Sequence, residues 1–170
     1  MSNKPAKKNA RSSQTIEKPE NPLKEINIFD HETYIKILNA IRKDTKKIVI
    51  VQTMGHNKND PILETAEKMM QLEDRKTVSS WLGTETDRRN AEQYTFIKKR
   101  DFFDYLGGFE SFFIDVIDRN SHVFTVRYSD FDPDDDIAFT DQNGYPLFYT
   151  VTHEGMAFIN RKYLPLIQNP

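Results

Sequence analysis

The sequence predicts an α+β fold: a single domain in which about three helices pack on a mostly antiparallel sheet. Helical periodicity of apolar residues dominates the first part of the chain, whereas short β-branched and aromatic runs separated by turn residues dominate residues 121–160. Helices that largely precede the strands favour α+β over a doubly wound parallel sheet. The length of 170 residues suits one domain, since domains commonly contain on the order of 100–150 residues.

The N-terminal segment, residues 1–24, is polar, contains three prolines and has no aromatic residue. Such a segment buries too little apolar area to offset the entropy lost on ordering. It holds six Lys or Arg and two Glu, so the remainder holds 18 basic and 24 acidic residues. We therefore predict a disordered basic tail over 1–24 and an acidic α+β globular domain over 25–170.

Helix signals occur at three places. Asp30 is a predicted N-cap, and apolar residues recur from Tyr34 at the spacing of one helix face. Asp60 followed by Pro61 is typical of a helix start, and Asp101 is a predicted cap for a Phe-rich segment. The helices are predicted near residues 31–43, 60–74 and 101–109.

Strand signals are densest after residue 121. Four consecutive β-branched residues, Ile48 to Val51, also predict a buried strand earlier in the chain. Asn143-Gly144 predicts a hairpin, because both residues tolerate positive φ, and Thr152 to Gly155 predict a turn. The strands are predicted near residues 47–53, 93–97, 122–128, 136–140, 145–151 and 156–159.

Two segments have weaker patterns. Residues 73–92 predict a short turn around Trp81, followed by a polar surface loop from Thr84 to Glu92. Phe112 to Ile117 fit a strand or a helix equally well, because periodicity does not separate the two for a short apolar run. The apolar residues near 163–167 are predicted to close one edge of the core.

Six aspartates are concentrated between residues 130 and 141. Asp130, Asp132, Asp134, Asp136 and Asp141 resemble the first, third, fifth, seventh and twelfth positions of the calcium loop of the EF-hand family. Asp135 stands where that loop needs Gly, and the flanks predict strands rather than helices. We therefore reject an EF-hand and keep three interpretations: a solvated acidic loop, a surface for a basic partner, and a strand-flanked calcium site.

Other catalytic motifs are weak or absent. His122, His153 and Glu154 are candidates for a divalent-metal hydrolase, but the H-E-x-x-H motif is missing. The chain has no G-x-S-x-G motif and no Gly-rich phosphate loop. It also has no cysteine, which excludes disulfides and thiolate chemistry.

These observations predict a soluble cytoplasmic binding protein without a cofactor, rather than an enzyme. An acidic surface steers and holds a basic protein partner, as in immunity-type inhibitors of basic toxins. The predicted contact residues are Asp130, Asp132, Asp134, Asp135, Asp136 and Trp81. The alternative is a metal-dependent hydrolase or calcium-binding domain that uses residues 130–141 with His122, His153 and Glu154.

The sequence also bears on nucleic acid and membranes as partners. The basic tail offers Lys4, Lys7, Lys8 and Arg11 to nucleic acid, whereas the acidic remainder of the chain does not favour a broad phosphate-binding surface. No apolar run reaches the roughly 18–20 residues needed to cross a bilayer. Nucleic acid is therefore expected only at the tail, and a membrane is not expected as a partner.

Overall fold

The computed structural model describes residues 22–28, 30–52, 61–86, 91–112 and 135–168. Their strands are β1 (Leu23–Ile26), β2 (Lys47–Gln52), β3 (Gln71–Val78), β4 (Ser80–Trp81), β5 (Thr84–Glu85), β6 (Ala91–Ile97), β7 (Asp135–Thr140), β8 (Pro146–Val151) and β9 (Met156–Asn160). Their helices are α1 (His31–Arg42), α2 (Pro61–Met69), α3 (Arg100–Leu106) and α4 (Leu164–Gln168). None of these helices has the length and apolar character needed to span a bilayer.

The α+β prediction is confirmed. In the described part of the chain, seven strands form one sheet in the order β1-β9-β8-β7-β2-β6-β3, and every neighbouring pair is antiparallel. The strands β4 and β5 form a separate two-stranded hairpin. Two single-turn 3₁₀ helices, Thr152–Glu154 and Arg161–Tyr163, connect the last strands and α4.

The helix starts agree with the sequence in part. Asp30 caps α1 as predicted, since its Oδ1 accepts a hydrogen bond from the Thr33 amide at 2.7 Å. Pro61 is the first residue of α2. The predicted Asp101 cap is wrong, because α3 begins one residue earlier and its N-cap is Lys99. Asp101 lies instead in the first turn, where a carboxylate still favours the helix dipole.

The predicted helix over 60–74 is too long. The chain leaves α2 at Met69 and forms β3, which pairs with β6 from Gln71 to Val78. Seven of the eight β3 side chains are exposed, so no apolar alternation marks the strand in the sequence. Pairing with β6 overrides the good helix propensity of Gln, Leu, Glu, Arg and Lys.

The segment predicted as a turn and a surface loop contains more structure than expected. Trp81 lies in β4, Gly83 turns the chain with φ of 78°, and Thr84 begins β5. The Thr86 amide closes this hairpin by donating to the Ser79 carbonyl at 3.0 Å. β6 begins at Ala91, two residues before the predicted strand.

The predicted β-region is confirmed from residue 135 onward. β7 and β8 are antiparallel neighbours joined through Gly144, which has φ of 83°. The turn at residues 152–155 is a 3₁₀ turn that ends at Gly155 in the left-handed region. The predicted strand at 122–128 and nearly all of the ambiguous segment 112–117 lie outside the described residues.

The domain boundary differs from the predicted one. Leu23 and Lys24, assigned to the tail from sequence, begin β1 and pair with Asn160 and Ile159. The Pro22 carbonyl also accepts a hydrogen bond from the Arg161 amide at 2.8 Å. Residues 1–21 lie outside the described residues, so the rest of the predicted tail remains a prediction.

The two faces of the sheet differ in what covers them. The helices pack on one face around a large apolar cluster, in which Phe112 stacks on Phe148 with 5.2 Å between ring centroids. The Tyr34 hydroxyl ties α1 to α3 by donating to the Leu106 carbonyl at 2.6 Å. The opposite face has a smaller cluster around Ala138, Tyr149 and Val151. None of the helices among the described residues covers this face, which we call the helix-free face, and it carries the candidate site.

Candidate binding pocket

A pocket of about 370 Å³ lies on the helix-free face of the sheet. Its floor follows directly from strand register. One row across the sheet consists of Tyr149, Ala138, Val49, Thr95 and Asp74. The next row consists of Asp136, Val51, Gln93 and Lys76. The short side chains in the middle of these rows leave the space that larger side chains at the edges enclose.

Alternation along β7 places two of its polar residues, Asp136 and Thr140, in this pocket. Ile137 and Phe139 enter the helix-side core, and both are almost fully buried. Successive side chains of a strand point to opposite faces, so Asp136, Ala138 and Thr140 face the pocket. The same alternation in β2 directs Ile48 and Ile50 to the core and leaves Val49 on the pocket side.

The β4–β5 hairpin forms one wall. The Trp81 indole Nε1 donates a hydrogen bond to Asp136 Oδ2 at 2.7 Å. A Cβ on Gly83 would lie 2.8 Å from Val151 Cγ2 and 2.9 Å from Tyr149 Cε2. The turn therefore lies directly against β8, and only glycine fits there. Tyr149 in turn stacks on Phe158, with 4.9 Å between ring centroids.

Asp136 is the best-defined polar group of the pocket. Its Oδ1 accepts a hydrogen bond from the Thr152 amide at 2.7 Å, and its Oδ2 accepts from Trp81. The residue is only 4% exposed. Burial raises the pKa of this carboxyl above its ordinary value, although the two donors and the charge of His153 act in the opposite direction.

Among the described lining residues, the other charges cancel and the negative charge of Asp136 is not neutralised. Lys47 forms an ion pair with Glu73, with 2.6 Å between Nζ and Oε2. Asp74 and Lys76 contribute one charge of each sign from the exposed strand β3. Among the described lining residues, the remaining charge is the carboxylate of Asp136, so these residues, when ionised, carry a net charge of one negative unit.

A second, more open cavity of about 460 Å³ adjoins the pocket and shares Lys47 and Glu73 with it. It lies where β2 begins and β6 ends, and Lys46, Lys98 and Gln142 also line it. Lys98 Nζ donates to the Arg42 carbonyl at 2.8 Å. The pKa of Lys98 is lowered by burial and by the neighbouring charges of Lys46 and Arg42.

The structure brings together two of the predicted contact residues and changes the interpretation of a third. Asp136 and Trp81 are hydrogen-bonded partners in one pocket. Asp135 and Asp136 are 6% and 4% exposed, so the prediction that they belong to a solvated acidic surface is wrong. Both residues pair with β2, and the Asp136 side chain lies against the Trp81 indole and the Thr152 amide. Asp130, Asp132 and Asp134 lie outside the described residues.

The predicted calcium set is separated by the strand. Asp136 and Asp141 lie at opposite ends of β7, five residues and about 16 Å apart in an extended chain. Ligands of one calcium ion lie within roughly 2.6 Å of it, so these two cannot share an ion. The Asp141 carboxylate instead accepts from the amides of Asn143 and Tyr145 at 2.8 and 3.0 Å. The described residues contain no group of three or more His, Cys, Asp or Glu placed to hold a metal.

The histidine candidate is only partly described. The 3₁₀ turn brings His153 and Glu154 together, with 3.7 Å between Nε2 and Oε1, and both side chains are exposed. Neither is among the residues that line the pocket. His122 lies outside the described residues, so the predicted trio is not assembled by the described part of the chain.

Several pocket residues were not identified from sequence. Tyr149, Thr140 and Val49 carry an alternation signal in their strands, but their common location depends on the order β8-β7-β2. Gly83 has no distinguishing sequence feature beyond its place after Trp81 and Leu82. Comparison with protein families, curated proteins and solved structures finds no match to this chain.

Proposed function

We propose that this protein is a non-enzymatic binding protein whose pocket receives a basic side chain of a protein partner. The observation that carries the proposal is the unbalanced Asp136 carboxylate beside the rings of Trp81 and Tyr149. Aromatic faces attract cations, and a carboxylate strengthens that attraction by a charge-assisted hydrogen bond. An Arg or Lys side chain combines the apolar stem and the cationic end that this lining favours.

Hydrogen-bonding capacity supports the same ligand class. Each carboxylate oxygen has about two acceptor sites, and Asp136 uses one on each oxygen for Trp81 and Thr152. Only a small part of the residue is accessible, so we assign one further hydrogen bond rather than a bidentate clamp. The volume of about 370 Å³ also falls within the range of roughly 300–1,000 Å³ typical of ligand pockets.

The wider charge distribution favours a basic partner. Residues 25–170 hold 24 acidic and 18 basic residues, and a net field of this sign accelerates encounter with a cationic protein. Asp130, Asp132 and Asp134 immediately precede β7 in the chain and remain part of the proposed contact surface. No His, Cys or Ser is found among the described residues that line the pocket, which supports a binding role over hydrolysis.

The specific form of the proposal is a cytoplasmic inhibitor of a basic toxin, such as a nuclease. Trp and Tyr are enriched among residues that dominate interface energetics, and the Trp81 side chain is held in place by its bond to Asp136. A preorganised aromatic anchor loses little conformational freedom on binding. These properties suit a tight, electrostatically steered protein complex.

Calorimetric titration with an arginine-rich nonapeptide tests the proposal. We expect saturable binding that weakens as NaCl increases, because salt screens the attraction, and no binding of a glutamate-rich peptide of equal length. Asp136→Asn should weaken binding roughly tenfold or more, since it removes one partner of a buried charge pair. The exposed Asp101 on α3 supplies the matched control Asp101→Asn, which should bind normally.

A second substitution separates a binding effect from a folding effect. Asp74→Asn changes an exposed pocket-rim carboxylate on β3, so it should weaken binding severalfold without loss of structure. Equal binding of the acidic peptide would refute the proposal. Indistinguishable affinities for the wild type, Asp136→Asn and Asp74→Asn would refute it as well.

A further inference from the structure

The strand β2 is apolar on both of its faces. Ile48 and Ile50 fill the helix-side core, whereas Val49 and Val51 lie on the helix-free face. An antiparallel sheet with one solvated face ordinarily presents polar side chains to water. Val51 is only 3% exposed, but Val49 is half-buried and lines the pocket. The middle of this face therefore has the composition of a surface that another apolar group covers.

Ala138 creates space beside Val49. It lies opposite Val49 in the strand register, lines the pocket and has the shortest side chain of its row. The Tyr149 ring stands next to it on β8. Val49 also packs against the small cluster that contains Ala138 and Tyr149. These three residues, Val49, Ala138 and Tyr149, form what we call the apolar hollow.

The pocket is large enough for more than one side chain. Its volume of about 370 Å³ corresponds to roughly twelve water-sized groups of about 30 Å³ each. An Arg side chain has only about seven non-hydrogen atoms, and the proposed contact directs its cationic end to Asp136. Water in the remaining space finds no hydrogen-bond partner on the aliphatic groups of Val49 and Ala138. An apolar group is therefore the favoured occupant of the apolar hollow.

The geometry of β7 fixes the distance between the charged contact and the apolar hollow. Asp136 and Ala138 face the same side of the strand and lie two residues apart, which is about 6.8 Å in an extended chain. In an extended ligand, side chains two residues apart also point to the same side and have the same spacing. A ligand segment extended along β7 therefore places one side chain at Asp136 and another over Ala138.

We infer that the partner segment binds in an extended conformation and carries an aliphatic side chain two residues from its basic side chain, and that this aliphatic side chain fills the apolar hollow. The inference rests on the proposed function, because it describes the same bound segment. Charge attracts any basic segment, whereas the apolar hollow selects among such segments. The pocket is thus specific for a basic and an aliphatic residue separated by one residue.

Amide-resolved NMR titration of the full chain with a series of short peptides tests this spacing. Each peptide is glycine-based, capped at both ends and contains one Arg, with Leu placed one, two or three residues away on either side. The reference peptides have Ser in place of Leu. We expect Leu two residues from Arg to tighten binding about tenfold, because the pocket buries most of its side chain. Leu at the other spacings should gain less than about twofold, because an odd spacing directs the side chain away from the sheet.

Two substitutions in the apolar hollow should remove this discrimination. Ala138→Leu fills the space, so the Leu and Ser peptides should bind this variant within about twofold of each other. Val49→Thr keeps the shape but adds a hydroxyl, so it should reduce the preference for Leu to about threefold. Ala40→Leu, at a half-buried position of α1 on the helix side, is the matched control and should keep the wild-type preference. Each result is a ratio of two affinities for one protein, so a change in the folded fraction does not alter it.

The same titrations separate this inference from the proposed function. Equal affinities of the Leu and Ser peptides for the wild type, with binding that still requires Arg, would overturn the inference and leave the basic contact. A preference for Leu that is independent of its spacing, or that persists in Ala138→Leu, would overturn it as well. Binding that is unchanged when Gln replaces Arg in the peptide would reject the proposed function, and the two-residue spacing with it.

Discussion

Asp136 holds two elements together through one side chain. Its two oxygens accept hydrogen bonds from the Trp81 indole and the Thr152 amide, so it links the hairpin to the turn after β8. In the Asp136→Asn variant, only one oxygen remains and the amide nitrogen faces a donor. We predict a loss of roughly 1–3 kcal/mol in the free energy of unfolding, the cost of a buried unsatisfied donor. Urea denaturation measures it, and an unchanged midpoint and slope would contradict this role.

The pH dependence of the stability of the Asp136→Asn variant, relative to the wild type, reports on the buried carboxyl group. Burial raises the pKa of Asp136 above its ordinary value of 3.8, so the folded state binds this proton more tightly than the unfolded state. The resulting stabilisation is complete below pH 3.8 and is lost as the pH rises through the raised pKa. We therefore predict that the stability deficit of Asp136→Asn grows as the pH falls from neutral toward about 4. A deficit that shrinks over this range would show that the folded-state pKa is lowered.

Gly83 and Gly144 form a matched pair. Both have positive φ, 78° and 83°, but only Gly83 approaches other atoms where a Cβ would lie. Gly144→Ala should cost about 1–2 kcal/mol for the left-handed backbone alone. Gly83→Ala should cost about 1–3 kcal/mol more, because the methyl group overlaps Val151 and Tyr149. Chemical denaturation of both variants gives the difference, and equal losses would show that the hairpin is not seated against β8.

Predictions for single residues agree with the structure where the feature depends on neighbouring residues in the sequence. The Asp30 cap and the Asn143-Gly144 hairpin are confirmed because each depends on a few consecutive residues. Trp81 and Asp136 were both selected as contact residues, but their bond joins positions 55 residues apart. No local pattern encodes a contact between a hairpin and the start of β7.

At the level of elements, β3 explains why the helix predicted over residues 60–74 is too long. Its residues Gln71–Val78 have no apolar alternation because nearly all of their side chains are exposed. The strand exists because β6 offers a paired edge, which a local pattern does not contain. By contrast, β2 has four consecutive β-branched residues and is buried between β6 and β7, and its prediction is confirmed.

The hairpin should be less stable than the sheet that it covers. β2 and β7 have hydrogen-bonded neighbours on both sides, whereas β4 and β5 pair only with each other within the ranges that the structure describes. Trp81→Phe removes the bond to Asp136 and costs roughly 1 kcal/mol or more. Hydrogen exchange followed by mass spectrometry should then show about fivefold faster exchange in residues 79–86, with β2 unchanged. Equal acceleration in both segments would mean that the hairpin and sheet open as one unit.

For the molecule as a whole, local periodicity was sufficient for the fold class but not for the order of the strands. The order β1-β9-β8-β7-β2-β6-β3 places the β7–β8–β9 meander between β1 and β2. The sequence gives no signal for the insertion of β7 between β8 and β2. The pocket depends on that order, since its floor combines Tyr149, Ala138 and Val49 from those three strands.

The position of β1 gives a test of the domain boundary. Deletion of residues 1–21 should leave the melting temperature unchanged, because β1 begins at Leu23. Deletion of residues 1–26 should cost on the order of 2–3 kcal/mol, as pairing with β9 and the half-buried Leu23 and Ile26 are lost. Differential scanning calorimetry compares the two. Equal melting temperatures would show that β1 contributes nothing to the stability of the sheet.

Trp81 is the single tryptophan of the chain, and it forms one wall of the proposed pocket. Its fluorescence during titration with the arginine-rich peptide therefore tests most directly whether a basic side chain binds there. We predict a saturable change in emission at low salt, suppressed by NaCl and strongly weakened in Asp136→Asn. Peptide binding that leaves Trp81 emission unchanged, or an equal change with the glutamate-rich peptide, would contradict the proposed pocket.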